Sequence, residues 1–135
     1  MKYIDSFSIA SFKQEEDYIL ERRKTKADMT CYSNSIYPFN IFTWKKLHTI
    51  EFENITIICG GNGCGKSTLL NIIAEKLGVM RRSPFNYTPY YEDYLKLCSA
   101  ELTFGRRLPE TSRIITSDDV FDFLLDIRSL NVAID

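Results

Sequence analysis

ITIICGGNGCGKSTLLNIIAEKLG, residues 55–78, is the stretch on which the reading of this chain turns. Within it Gly60, Gly61, Asn62, Gly63, Cys64, Gly65, Lys66 and Ser67 fit the phosphate-binding loop pattern G-x-x-x-x-G-K-[ST], the Walker A motif. Before the loop, Ile55, Ile57, Ile58 and Cys59 make a short β-branched, apolar run, over which a buried parallel strand is expected. After it, Leu69, Leu70, Ile72, Ile73 and Leu77 recur at helical spacing, and Gly78 stands where a helix end takes a left-handed residue. The predicted order is strand, glycine loop, helix.

The chemistry follows from that order. Glycines let successive backbone N–H groups turn inward and form an anion-binding concavity at a helix N-terminus. Lys66 is then the residue to neutralise the β- and γ-phosphates of a nucleotide and is the catalytic candidate. Ser67 would offer its hydroxyl to Mg²⁺, with phosphate oxygens, water and a distant carboxylate as further ligands, and Thr68 is next in line for the α-phosphate. The competing readings are a glycine-rich turn that binds nothing and a degenerate loop that binds nucleotide without hydrolysing it.

The chain has 135 residues, enough for one ordinary core, and a single domain spanning 1–135 is expected. With 17 basic against 18 acidic side chains it carries no global field that would draw in nucleic acid or an anionic membrane. No apolar run approaches the ~20 residues of a membrane span, and the N-terminus lacks the apolar core of a signal peptide, so the cytoplasm is the expected compartment. The cysteines Cys31, Cys59, Cys64 and Cys98 form no C-x-x-C pair and His48 is the single histidine, which argues against structural zinc. Cys59 reads as a small core residue of the expected strand. Cys64 differs because it lies inside the loop: either alkylation there competes with nucleotide, or the thiol is inert and turned away from the phosphates.

Residues 1–12 alternate in part, Phe7 and Ile9 against Ser6 and Ser8, as in a short strand. Residues 13–28 put acids first and Arg22, Arg23, Lys24 and Lys26 after, the order that suits a helix dipole. An aromatic-rich strand broken by Pro38, hence at an edge, is expected over residues 36–44. A cleaner one covers residues 47–53, with Ile50 and Phe52 on one face.

Residues 36–78 resemble the opening of ABC-type ATPase heads, including the SMC-like and RecF-like ATPases grouped with the AAA family, whose loops read G-x-N-G-x-G-K-S-T. Gly61, Asn62, Gly63, Gly65, Lys66, Ser67 and Thr68 match that loop position by position. The resemblance implies an α/β P-loop NTPase fold, a partial ABC-type head in which an antiparallel strand pair feeds the phosphate-loop strand. It implies ATP and Mg²⁺ as cofactors, and hydrolysis at a head-to-head dimer or with a complementing ATPase chain. It also implies an aromatic packed on adenine, for which Tyr37, Phe39, Phe42 and Trp44 are the candidates.

Past Gly78, Phe85, Tyr87, Tyr90, Tyr91 and Tyr94 lie near Arg81 and Arg82, an interleaving that suits base stacking but also plain local packing, given Glu92 and Asp93 in its midst. Residues 100–104 read as a strand closed by Gly105. Thr116 or Ser117 caps an expected helix in which Asp118, Asp122 and Asp126 share a face. The rival reading is a strand whose Asp126 approaches Mg²⁺.

No glutamine follows Gln14, no L-S-G-G-Q-like run is present, and no apolar strand ends in Asp-Glu. The chain is therefore expected to be the N-terminal lobe of such a head, with turnover dependent on segments elsewhere. Two other classes stay open. A small-molecule kinase would use Arg81, Arg82, Arg106, Arg107 or Arg113 to clamp the transferred phosphate. A non-catalytic interaction module would use nucleotide as a structural ligand or not at all.

Overall fold

A computed structural model describes residues 1–25 and 36–134. Cys31 and Lys26, singled out in the sequence, lie outside the described residues. In chain order the elements are β1 (Ile4–Ser8), α1 (Phe12–Thr25), β2 (Thr49–Glu51), α2 (Lys66–Leu77), α3 (Tyr91–Leu97), β3 (Ser99–Leu102) and α4 (Ser117–Ile134). The fold is mixed α/β, with a three-stranded antiparallel sheet of order β2-β1-β3.

The sheet follows from alternation. Phe7 points into the core and pairs with Ile50 on one side and Ala100 on the other, while Ser8 faces outward and shares a 2.9 Å hydroxyl bond with Thr49. The pairing runs on past the strand ends, as Ile9 N–H donates to the His48 carbonyl and Phe52 N–H to that of Asp5. Phe7 and Ile9 are fully buried, against Leu69, Ile72 and Ile73 of α2 and Tyr91 and Tyr94 of α3.

Helix α1 starts with a capping box: Gln14 N–H donates to the Ser11 hydroxyl oxygen and Ser11 N–H to the Gln14 side-chain carbonyl. Helix α2 ends at Gly78, at φ 64, whose N–H returns to the last turn. The expected strands at residues 1–12, 47–53 and 100–104 correspond to β1, β2 and β3, and the tail is the helix α4 rather than a strand.

Two expectations are corrected. The first is the strand over residues 36–44, which is a run of turns. Ile36, Phe39 and Phe42 are all buried, so the apolar period is three, matching turns and 3₁₀ geometry and not the period two of a strand. Phe39 N–H donates to the Ile36 carbonyl and Lys45 N–H to that of Phe42, while Asn40 and Lys46 take left-handed φ values of 65 and 52. Phe39 stacks on Tyr18 of α1 at 4.5 Å and meets the edge of Tyr94 at 5.0 Å, locking the turns into the core.

The second is the buried parallel strand before the loop. Residues 55–59 pair with no strand among the described residues, Ile55 and Ile57 are 83% and 79% exposed, and Cys59 is exposed rather than in the core. A parallel strand of this composition needs a neighbour at its edge and a layer over each face. The antiparallel sheet of the described residues offers neither. Cys98, by contrast, is buried, and burial pushes its thiol up to about 11.

Candidate functional site

The phosphate loop lies between the exposed segment 55–59 and the N-terminus of α2. Gly63 and Gly65 sit at φ 77 and 96, a region that glycine enters without strain, and these positions turn the chain back on itself. Leu69 N–H makes the first helical bond, to the Gly65 carbonyl. The N–H groups of Gly65, Lys66, Ser67 and Thr68 therefore donate to no backbone carbonyl among the described residues, and α2 has no side-chain cap. Four donors and the positive end of the helix dipole point to one place.

Lys66 reaches back over the loop. Its ammonium donates to the carbonyls of Gly60 at 2.5 Å and Gly61 at 2.8 Å and lies 3.5 Å from the Cys64 Sγ. Cys64 thus faces the ammonium, and its sulfur packs so closely on Gly60 that a Cβ there would lie 2.5 Å from it. Ser67 is exposed and Thr68 half-buried. Ile41 and residues 62–68 line an open cleft of about 350 Å³.

The turn segment 36–46 supplies contacts that the sequence did not announce. The Tyr37 hydroxyl donates to Thr68 Oγ1 at 3.0 Å, and the Lys45 ammonium donates to the Cys64 carbonyl. Phe42 packs under Gly65, where a Cβ would come within 3.1 Å of its ring. The period-three apolar pattern is the available signal for the turns; Tyr37 and Ile41 pack at the edge of the core and Lys45 is exposed. Of the four aromatics considered for adenine, Phe39 and Phe42 are buried, Tyr37 is half-buried, and Trp44 is 84% exposed.

The other candidates are not brought to the loop. Arg81 is engaged with Asn71, Glu75 and the Ser83 carbonyl and lies 4.0 Å over the Phe85 ring. Arg106 lies over Tyr3. Arg82 and Arg113 line a separate cleft with Met80, Ile115 and Phe123. Tyr91 and Tyr94 are fully buried, so the aromatic cluster is local packing at its centre. Among the described residues no three of His, Cys, Asp and Glu gather as a metal site, and no described helix is long and apolar enough to cross a membrane.

The geometry defines a class of site, a glycine-rich loop leading into an uncapped helix N-terminus, with the Lys66 ammonium folded onto the loop's own carbonyls. The family model described as AAA domain matches residues 35–77, which cover this loop and both of its flanks. The match supports an AAA-type ATPase domain over that span. No curated protein and no solved structure matches the chain.

Proposed function

We propose that the chain is the nucleotide-binding lobe of an ABC/SMC-like ATPase and takes ATP–Mg²⁺ on residues 60–68. The observation that carries this reading is that residues 65–68, whose N–H groups donate to no backbone carbonyl among the described residues, line one open cleft together. On binding, Lys66 would exchange the carbonyls of Gly60 and Gly61 for phosphate oxygens, a stronger, charge-assisted partnership. The N–H groups of residues 65–68 would hold the phosphate chain, with Thr68 held in place by Tyr37. The exposed Ser67 hydroxyl fits a single Mg²⁺ ligand, and since no carboxylate among the described residues lines the cleft, the remaining positions would fall to phosphate, water and a carboxylate from elsewhere. Mg²⁺ held there would supply charge neutralisation for the phosphates. Trp44 is the exposed platform for the base, beside Lys45, which touches the loop.

Turnover demands a positioned water and further stabilisation of the transition state, which Lys66 alone does not provide. The exposed apolar run Ile55, Ile57 is suited to receiving a strand from a complementing ATPase chain or a second copy, because its backbone N–H and carbonyl groups bond no neighbouring strand among the described residues. Trp44 is the single tryptophan, so its fluorescence reports on the proposed base position. Titration with Mg²⁺-ATP is expected to give a saturable fluorescence change that is lost in Lys66→Ala, with phosphate release negligible for the chain alone. The same change in the Lys66→Ala protein would refute the assignment.

A further inference from the structure

Helix α4 carries a large apolar surface that nothing among the described residues covers. Every residue from 120 to 133 is exposed. The helix is fastened at its start, where the Thr116 N–H and hydroxyl donate to Asp119 Oδ2 at 2.8 and 3.0 Å and the Ser83 hydroxyl donates to Asp119 Oδ1. Beyond that turn, no side chain of α4 hydrogen-bonds to another element among the described residues.

Eight large apolar residues of α4 are exposed, and four of them form one stripe, with Phe121, Leu124, Leu125 and Val132 outside it. Val120, Phe123, Ile127 and Leu130, exposed by 51, 59, 39 and 65%, are spaced by three, four and three, which places them on one stripe of the helix. Written as heptads, Val120 and Ile127 take the a position and Phe123 and Leu130 the d position. β-Branched residues at a with leucine at d favour two parallel strands, and this stripe has valine and isoleucine at a, with leucine at one d position and phenylalanine at the other. The acids Asp118 and Asp122 lie on the arc away from this stripe. Asp126, at g, borders it, and its surroundings select an orientation. In a parallel pair it meets the partner's Asn131 at e, whereas in an antiparallel pair g meets g and it would meet the partner's Asp126.

We propose that two copies of this chain associate through parallel pairing of α4 along the seam Val120, Phe123, Ile127 and Leu130. The area is sufficient: at on the order of 100 Å² per side chain, the seam with Leu124 at its flank supplies roughly 500 Å² per chain, and about 1,000 Å² in all is the lower bound for a specific interface. An interface of that size gives a concentration-dependent dimer rather than an obligate one.

Sedimentation equilibrium of the full chain, over a roughly hundredfold concentration range through the micromolar region, tests this. The apparent mass is expected to climb from one chain towards two. Ile127→Asp and Leu130→Asp should each weaken association at least ~10-fold while leaving the circular dichroism melt unchanged at the dilute, single-chain end of the range, because both side chains are solvent-exposed in one chain. Val132→Asp, on the opposite stripe, should leave the dimer intact. A single-chain mass at every concentration overturns the proposal. So does association that survives both seam substitutions, or that Val132→Asp abolishes equally.

Discussion

At Gly65 the backbone sits at φ 96, and a Cβ would lie 3.1 Å from the Phe42 ring, which is itself buried. Both the dihedral and the close approach need glycine, so Gly65→Ala combines left-handed strain with displacement of a core aromatic. It is expected to cost about 2–3 kcal/mol, read as a lowered melting temperature, and to misalign the N-terminus of α2. Cys64 belongs to the same loop, 3.5 Å from the Lys66 ammonium and half-buried. If nucleotide occupies the cleft as proposed, Mg²⁺-ATP should slow alkylation of Cys64 several-fold, measured by mass spectrometry of the modified peptide. Equal labelling with and without nucleotide would show that the thiol stands apart from the phosphates.

Among the elements, α1 is held to the turn segment 36–46 by a buried carboxylate. Glu15 is 2% exposed; its Oε2 accepts from the Thr43 hydroxyl at 2.5 Å, and its Oε1 has no hydrogen-bond partner among the described residues. Burial pushes its carboxyl above the ordinary 4.5, opposed by the bond from Thr43 and by the Asn40 backbone amide. A carboxyl raised in the folded state holds its proton more tightly folded than unfolded, so this group's contribution is fully present below pH 4.5 and is lost as pH rises through the raised folded value. Asp93 behaves oppositely: the Tyr18 hydroxyl holds its carboxyl below 3.8, and the stability it adds is lost as pH falls through that lower value. Glu15→Gln should therefore raise stability at pH 7 by roughly 1 kcal/mol, and the gain should vanish near pH 4. A gain independent of pH would mean that Glu15 acts through packing alone. Element by element, what was legible in the sequence was local. The loop glycines, the start of α4 and Gly78 at the end of α2 carry their own signals within a few residues. Residues 55–59 do not, because an apolar β-branched run becomes a strand only beside another strand, and that information lies outside the run. Residues 36–44 were misread for a different reason: aromatic composition suggested a strand, while the spacing of Ile36, Phe39 and Phe42 specified turns.

Over the whole molecule, the well-packed part and the open part divide cleanly. The sheet, α2, α3 and the turn segment share one core, centred on Phe7, Ile9, Ile72, Tyr91 and Tyr94. The segment 55–59 and α4 leave Ile55, Ile57, Phe123 and Leu130 in solvent. Exposed apolar surface on this scale marks a site of association. The two surfaces have separate roles in the proposals above, a strand edge beside the nucleotide loop and a helical seam for self-association, so substitutions at Ile127 should leave nucleotide affinity unchanged. The central claim is that residues 60–68 bind nucleotide, and the most direct measurement is a calorimetric titration of the chain and of Lys66→Ala with Mg²⁺-ATP. Saturable binding on the order of micromolar, lost in Lys66→Ala while its melting temperature is kept, is the expected result. No heat of binding in the unaltered chain, or equal affinity in the two proteins, would contradict it.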